Sequence, residues 1–276
     1  MKIERIGAVE VLANLGAGAR STVVRVRRAA DGKEYALKVA PVARKSEKKY
    51  LAQARQEYRV GQMLDHPHLV RIHCLETETD WLFRARRVKL LAEFVPGHTL
   101  DKIPPPTVGR LLRVFERAAA GVAYMHELGV VHADLKPNNI MLGPGVVKVI
   151  DFGLARVNGE VTGRLQGTPE YMAPETVAHK AVNELSDVFN FGATMYRLLT
   201  AQHPPTYLQG LPVGERAYRN RLRPASEINP RCPAGLCDLT DQCLRYRPAD
   251  RPRSMAAVAL GLAKLAAAHA TAADAI

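Results

Sequence analysis

Long hydrophobic runs are missing from this sequence. No uninterrupted apolar stretch reaches about 18 residues, the length that a membrane-spanning helix needs, anywhere in its 276 residues. The alanine-rich end, residues 256–276, comes closest, but Lys264, His269 and Asp274 interrupt it, and we predict a final helix that frays. The N-terminus carries Glu4 and lacks the apolar region of a secretory signal. We therefore expect a cytoplasmic protein without a membrane span.

Cysteine is scarce. The four cysteines are Cys74, Cys232, Cys237 and Cys243, and no two of them form a CxxC pair. A structural zinc site needs tightly spaced ligand pairs, so this spacing argues against one. We expect reduced, partly buried thiols, as is usual for cytoplasmic proteins.

Acidic residues are outnumbered by basic ones. The chain has 39 Lys and Arg against 27 Asp and Glu, and residues 1–96 hold 19 of the former against 11 of the latter. The excess concentrates at residues 44–49 and 84–87. A solvated surface accounts for it, and an acidic protein partner or an acidic lipid surface remain alternatives. Aromatic residues are only 6% and do not alternate with the basic ones, so we expect no nucleic-acid partner.

The first hundred residues predict a small sheet with one helix. β-Branched and apolar runs predict strands, and Asp31-Gly32 is a hairpin-turn signal between two of them. The predicted strands cover residues 9–15, 22–26, 35–40, 69–74 and 88–94, and the predicted helix covers residues 47–64.

Beyond Pro96-Gly97 the pattern becomes helical. Residues 108–128 place apolar side chains on one helical stripe, and further helices are predicted at 184–199, 235–244 and 254–268. The fold class is therefore α+β, with a sheet-rich lobe joined to a helical one. A cleft between two such lobes is a common location for ligands.

Polar residues in the sheet region suggest anion binding. Gly16-Ala17-Gly18 lies between two predicted strands, where backbone amides can approach phosphate oxygens. The same three residues are equally compatible with an ordinary turn that binds nothing. Lys38 ends a strand of apolar neighbours, which favours a cleft position over simple surface charge. Glu57, on the following helix, is the candidate partner of Lys38.

The segment His132-Ala133-Asp134-Leu135-Lys136-Pro137-Asn138-Asn139 is more specific. Asp134 can accept a hydroxyl proton, Lys136 can stabilise charge on a transferring phosphoryl group, and Asn139 offers an oxygen to a hard cation. Asp151 follows an apolar strand and offers a second cation ligand. This combination indicates a phosphoryl-transfer site.

In this order the motifs resemble those of the eukaryotic-like (Hanks-type) serine/threonine protein kinases of bacteria. The resemblance covers about residues 9–262. Its motifs are Gly16-Ala17-Gly18 with Val23, Ala36-Leu37-Lys38, Glu57, His66-Pro67, Ala92 to Val95, His132 to Asn139, Asp151-Phe152-Gly153, Gly167 to Glu175, Ser186-Asp187-Val188 and Arg251-Pro252.

The resemblance implies a single bilobal kinase domain over residues 1–276. It has a small antiparallel sheet with one main helix at about 1–95, a hinge at about 93–98, a larger helical lobe at about 99–265 and a tail at 266–276. The implied cofactors are ATP and Mg²⁺. The implied catalytic residues are Asp134, Lys136, Lys38, Glu57 and Thr168. The implied nucleotide contacts are Leu15, Gly16, Gly18, Val23, Ala36, Lys38, Glu93, Val95 and Met141, and the implied metal ligands are Asn139 and Asp151.

The resemblance also implies how individual residues act. Thr168 should bridge Asp134 and Lys136, a feature of Ser/Thr-directed kinases. Glu175 and Arg251 should form a structural ion pair, and Asp187 should brace the catalytic loop.

Three positions depart from the family pattern. Ser21 stands at the third loop glycine, a change we expect to be tolerated. Ala133 replaces the arginine that pairs with a phosphorylated activation loop, so we expect activity that does not need phosphorylation there, with Thr162 as the candidate loop site. Ala92 leaves the gatekeeper position small, which predicts sensitivity to bulky adenine-site inhibitors.

The expected partner is a protein substrate with Ser or Thr, of unknown identity, and autophosphorylation remains open. A pseudokinase scaffold and a small-molecule kinase are the alternatives, although the segment Gly167 to Glu175 argues against the latter. Because no sensor domain is encoded, we expect a stand-alone kinase or one that takes its input from a separate partner. The segment Thr200 to Pro224 reads as a loop, with a docking surface as the alternative.

Overall fold

The computed structural model describes residues 3–17, 21–44, 47–104, 106–157, 165–205, 207–208, 211–212 and 214–269. The chain divides into two compact units. The first comprises Met1–Pro96 with Asp151–Leu154, and the second comprises Gly97–Ile150 with Ala155–Ile276.

The first unit is built on a five-stranded antiparallel sheet. Its strands are β1 (Val9–Ala17), β2 (Thr22–Arg28), β3 (Glu34–Pro41), β4 (Ile72–Thr79) and β5 (Ala85–Glu93), in the order β1-β2-β3-β5-β4. One helix, α1 (Lys48–Gly61), lies between β3 and β4 in the chain. Each predicted strand and the predicted helix has a counterpart here, although the bounds of the fourth strand differ, and the α+β class is confirmed for this unit.

Two apolar clusters hold this sheet together. One joins the N-terminal segment to the strands through Ile6, Val26, Leu37 and Leu91, each at most 6% exposed. The other cluster packs Ala54 of α1 onto strand residues that include Ala40 and Val88. Because α1 is anchored by this second cluster, its polar side chains have fixed positions relative to β3.

The fourth strand departs from the prediction. It was expected at 69–74 because the apolar run ends there, but the strand begins at Ile72 and continues to Thr79. The N–H of Leu69 donates to the carbonyl of His66 in a turn (3.1 Å). Polar residues extend the strand because they pair with β5, as in the Glu78–Lys89 ion pair.

The second unit is mostly helical. Its helices are α2 (Val108–Glu127), α3 (Pro174–His179), α4 (Glu184–Thr200), α5 (Glu215–Arg221), α6 (Ala225–Ile228), α7 (Ala234–Cys243) and α8 (Met255–Ala268). Short strands accompany them: β6 (His98–Thr99), β7 (Val130–Val131), β8 (Ile140–Gly143), β9 (Val146–Val149), β10 (Arg156–Val157), β11 (Tyr207–Leu208) and β12 (Leu211–Pro212). They form the ladders β6-β8-β9, β7-β10 and β11-β12.

Buried helices form the core of this unit. Helix α2 buries the predicted stripe, including Leu112, Phe115 and Met125, each 0% exposed, and it packs against α8. Helix α4 begins with a capping box in which the Asn183 side chain accepts from the Ser186 N–H (3.0 Å) and the Ser186 hydroxyl accepts from the Asn183 N–H (3.2 Å). These helices fix the positions of the loops that carry the polar motifs.

The loop prediction for Thr200 to Pro224 was wrong in part. The segment contains β11, β12 and α5. Tyr218 of α5 is 1% exposed, and its hydroxyl donates to the carbonyl of Leu244 (2.8 Å). One buried tyrosine on a polar seven-residue helix gives too weak a periodicity for the helix to be seen in the sequence.

All four cysteines are free and buried. Among the helices in the described part of the chain, none has the length and apolarity needed to span a membrane.

Candidate active site

The first unit joins Lys38 to two carboxylates. Lys38 lies on β3, opposite Val23 of β2 and Leu90 of β5. Its ammonium donates to Glu57 Oε2 of α1 at 2.9 Å and to Asp151 Oδ1 at 3.4 Å. The pairing of Lys38 with Glu57 expected from the sequence is therefore present.

Burial and charge set the pKa values of this pair. Burial lowers the pKa of the Lys38 ammonium, but the carboxylates of Glu57 and Asp151 outweigh it and hold that pKa above its ordinary value. Burial raises the pKa of Glu57 to about 6 from an ordinary 4.5, although Lys38 opposes the rise. The ammonium therefore stays charged at neutral pH, whereas Glu57 takes up a proton in mild acid.

Asp151 sits in a strained backbone conformation. Its φ of +67° lies in the left-handed region, which non-glycine residues seldom adopt and aspartate tolerates better than most. Its Oδ1 also accepts from the Gly153 N–H (3.3 Å), and its side chain is 45% exposed. Such strain is often found at functional sites.

The other expected nucleotide contacts are distributed over both units. Val23 and Ala36 lie half-buried on neighbouring strands of the sheet, and Leu15 is 40% exposed on β1. In the first unit the structure places Leu15 and Gly16 on β1, Val23 on β2, Ala36 on β3, Glu93 at the end of β5 and Val95 after it. Met141 lies on β8 of the second unit, and Gly18 lies outside the described residues.

The backbone N–H of Glu93 already has a hydrogen-bond acceptor within the protein. It donates to the carbonyl of Arg71 (2.8 Å). A nucleotide contact at Glu93 would therefore fall to its carbonyl oxygen. Ala92 is half-buried on β5, opposite Ala36 of β3 and Ile72 of β4.

The second unit gathers the expected catalytic residues around one carboxylate. Lys136 Nζ donates to Asp134 Oδ2 (2.7 Å) and to Thr168 Oγ1 (2.6 Å). Thr168 donates to Asp134 Oδ1 through both its hydroxyl (2.8 Å) and its N–H (2.9 Å). Asp134 and Lys136 have side chains 11% and 20% exposed. The bridging position expected for Thr168 is therefore observed.

Asn139 is oriented by the same loop. Its Nδ2 donates to the carbonyl of Asp134 at 2.8 Å. This leaves Oδ1 as the acceptor end of the amide. The Asn139 carbonyl accepts from the N–H of Ile150 (2.9 Å), the residue before Asp151 in the chain.

Asp187 holds the backbone of the loop that carries Asp134. This carboxylate is fully buried and accepts from the N–H groups of His132 (2.7 Å) and Ala133 (2.8 Å). It also accepts from His126 Nε2 at 2.9 Å. Ala133 has a φ of +68°, so these bonds hold a conformation that alanine does not favour. The bracing role of Asp187 is confirmed, whereas the contribution of His126 was not anticipated.

The segment that carries Thr168 is fixed by two features of its own, the backbone of Gly167 and the ion pair of Glu175 with Arg251. Gly167, just before it, has a φ of +121°, and a Cβ there would come within 3.3 Å of the Ala133 carbonyl. Glu175 accepts from Arg251 through two bonds of 2.8 Å, which confirms the expected ion pair. Burial raises the pKa of Glu175, but the guanidinium of Arg251 outweighs it and the net change is a lowering.

Two groups near the site lacked a usable sequence signal. His126 lies on the buried face of α2, four residues after Val122, and nothing in its spacing points to Asp187. Arg156 of β10 donates to Gln166, a contact between a two-residue strand and an irregular segment. Thr162, the candidate phosphorylation site, lies outside the described residues.

Comparison with known proteins agrees with this geometry. A family model described as protein kinase domain matches residues 9–260. The chain is 30% identical over 270 residues to the serine/threonine-protein kinase pkn3 of Myxococcus xanthus, covering 88% of this chain and 47% of that protein. It is also 30% identical over 233 residues to the serine/threonine-protein kinase PknA of Mycobacterium tuberculosis, covering 81% and 53%.

A plant relative shows the same likeness. The CBL-interacting protein kinase 8 of Oryza sativa is 32% identical over 213 residues, which cover 73% of this chain and 46% of that protein. The chain thus spans about half the length of these curated relatives. Since the family model covers nearly the whole sequence, the chain belongs to the protein kinase domain family.

Proposed function

We propose that this chain is a serine/threonine protein kinase that transfers the γ-phosphate of ATP to Ser or Thr hydroxyls of protein substrates. The observation that carries the proposal is the cluster of Asp134, Lys136 and Thr168, with four hydrogen bonds of 2.6–2.9 Å. A carboxylate fixed by an ammonium and a hydroxyl suits proton transfer next to a phosphoryl group. The names of two bacterial relatives point to the same activity.

The proposed chemistry assigns a step to each group. Asp134 orients the substrate hydroxyl and accepts its proton as the new O–P bond forms. The bond between the γ-phosphorus and the β,γ-bridging oxygen breaks, and ADP leaves with that oxygen. Lys136 stabilises the charge on the transferring group, and Thr168 keeps Asp134 and Lys136 in place. Lys38, fixed by Glu57, binds the α- and β-phosphates.

The residues proposed as metal ligands fit a hard divalent cation. Asn139 presents an amide oxygen, because its nitrogen is bound to the Asp134 carbonyl, and Asp151 presents a partly exposed carboxylate. Oxygen donors of these kinds are those that Mg²⁺ prefers. When bound, Mg²⁺ neutralises the charge of the triphosphate.

Specificity and regulation are part of the proposal. The contact of Lys136 with Thr168 supports specificity for Ser and Thr. We also propose a cytoplasmic location. At position 133 a methyl group stands where a guanidinium would receive a loop phosphate. We therefore propose that activity does not depend on activation-loop phosphorylation. Phosphatase treatment should leave the activity of the purified protein unchanged, and its loss on treatment would refute this part.

The direct test is phosphotransfer from labelled ATP to a generic protein substrate with magnesium. Asp134→Asn should lower the rate at least about 10²-fold, because the proton acceptor is lost. The matched control is Asp238→Asn, which removes an exposed carboxylate of α7 and should retain full activity. A wild type no faster than Asp134→Asn would support the pseudokinase alternative, whose motivation is the pair of departures at Ser21 and Ala133.

A further inference from the structure

The turn between β4 and β5 exposes three consecutive apolar side chains. Trp81 is 84% exposed, Phe83 is 88% exposed and Leu82 is 43% exposed. The other large hydrophobic residues that are exposed in the described part of the chain are isolated in the sequence. Scattered exposed side chains of that kind need no explanation, whereas a contiguous aromatic group points to an interaction surface. Residues 80–84 are called the Trp81 tip below.

Polar groups, rather than ring packing, shape the Trp81 tip. Asp80 Oδ1 accepts from the N–H groups of Leu82 and Arg84, both at 2.9 Å. The Asp80 carbonyl accepts from the Phe83 N–H at 3.0 Å, and Phe83 has a φ of +58°. The turn therefore presents its rings to solvent in a defined conformation without burying them.

Basic residues surround the tip. Arg84, Arg86 and Arg87 follow the rings and are exposed. The carboxylates beside them are Asp80, which pairs with Arg86 (2.9 Å), and Glu78, which lies opposite Arg87 and pairs with Lys89. The N–H of Val42 donates to the Arg86 carbonyl (3.0 Å), so the segment leading into α1 lies beside this end of β5. Arg44 of that segment is exposed, as are Lys48 and Lys49 in the first turn of α1.

We propose that the Trp81 tip docks onto the surface of an anionic lipid bilayer. Trp and Phe rings are favourable at the level of the lipid headgroups. Each nearby Lys or Arg adds attraction to anionic lipid. The tip is a protruding turn whose rings have few neighbouring side chains. A bilayer can accept such a protrusion, whereas a protein interface needs surrounding contacts that exclude water from its centre.

Intrinsic fluorescence tests the proposal directly, because Trp81 is the only tryptophan of the chain. The probes are vesicles of phosphatidylcholine alone and vesicles containing 30% phosphatidylserine (roughly a biological content of anionic lipid). The anionic vesicles should shift the Trp81 emission to the blue, and lipids brominated near the headgroup should quench it. Flotation should recover the protein with the anionic vesicles only, and added salt should weaken the binding.

Variants separate the rings from the charges. Trp81→Ala combined with Phe83→Ala should weaken flotation with anionic vesicles at least about tenfold. Arg84→Glu should weaken it about tenfold, because one cation becomes an anion. The matched control is Leu260→Ala, which removes an exposed apolar side chain far along the chain from the tip (Leu260 is 59% exposed on α8). This variant should bind as the wild type does. Unchanged phosphotransfer to a soluble substrate shows that each variant is folded.

Three outcomes would overturn the proposal. An emission spectrum unaffected by anionic vesicles would show that the rings do not enter lipid. Equal flotation of the wild type and the double alanine variant would place the lipid contact elsewhere. A blue shift that appears without lipid as the protein concentration rises, with a matching increase in mass, would assign the tip to contact with a second copy of the chain.

Discussion

The raised pKa of Glu57 leads to a pH dependence that can be separated from unfolding. The ion pair with Lys38 requires Glu57 to be ionised, and its pKa is raised to about 6. The ionised fraction is therefore about 0.9 at pH 7 and about 0.1 at pH 5. If the paired Lys38 is needed to bind the phosphates, kcat/KM for ATP should fall about tenfold over this interval. Lys38 does not contribute to this fall, because its own pKa is raised.

The effect on stability has the opposite direction. The folded-state pKa of Glu57 lies above its ordinary value of 4.5. The stability linked to this group is therefore complete below about pH 4.5 and is lost as pH rises through about 6. Acidification from pH 7 to pH 5 consequently does not weaken the fold through Glu57. A loss of activity there with an unchanged or higher unfolding midpoint would identify titration at the site.

The assay compares the wild type with Glu57→Gln across pH 5–8, measuring kcat/KM for ATP at saturating magnesium. The phosphates of ATP titrate in both proteins, so the ratio of the two values isolates Glu57. At pH 8 the variant should be about 10²-fold slower, because Lys38 is no longer held in position. The ratio should shrink on acidification with a midpoint of about 6. Parallel profiles would refute the role given to Glu57.

Three further predictions follow from single contacts. Thr168→Ala removes a hydroxyl bonded to both Asp134 and Lys136 and should lower kcat about 10–100-fold, whereas Thr168→Ser should keep most of it; equal rates for the two variants would contradict the bridge. Glu175→Gln leaves the buried charge of Arg251 without its carboxylate and should lower the free energy of unfolding, measured in urea, by about 3–5 kcal/mol. A decrease below about 1 kcal/mol would contradict the structural importance of this ion pair. Ala92→Met should reduce sensitivity to bulky adenine-site inhibitors at least about tenfold. Unchanged inhibition would refute the prediction that the small side chain of Ala92 leaves room for them.

Sequence patterns predicted the parts of the fold in which apolar periodicity is strong. The stripe of α2 ends within one residue of the prediction, because all of its apolar side chains face one core. The β4–β5 hairpin was predicted poorly, since its outer half is held by cross-strand charge pairs such as Glu78 with Lys89. Alternating charge gives no periodic apolar signal, so the strand was ended too early at Cys74.

The candidate site was predicted for a different reason. Asp134, Lys136 and Asn139 lie within six residues of one another, so local spacing alone predicts a common loop. The contacts of Asp187 to His132 and Ala133 span more than 50 residues, and only the family resemblance pointed to them. His126 was not singled out by any motif in the sequence, and its place beside Asp187 became visible only in three dimensions.

Exposure divides the polar residues of the site into two groups with different expected consequences. The supporting residues Glu57, Asp187 and Arg251 have side chains 6%, 0% and 0% exposed. Lys38 and Asp151, which are proposed to meet the nucleotide and the metal, are 33% and 45% exposed. Removing a buried charged partner leaves its counterpart uncompensated and destabilises the fold. Asp151 is half-exposed, so Asp151→Asn should lower activity with a smaller loss of stability. Lys38 belongs to both groups, because its removal also leaves the buried Glu57 without its cation and should lower activity and stability together. Measuring stability and activity on the same variants therefore separates Asp151 from the residues that only hold the site in place.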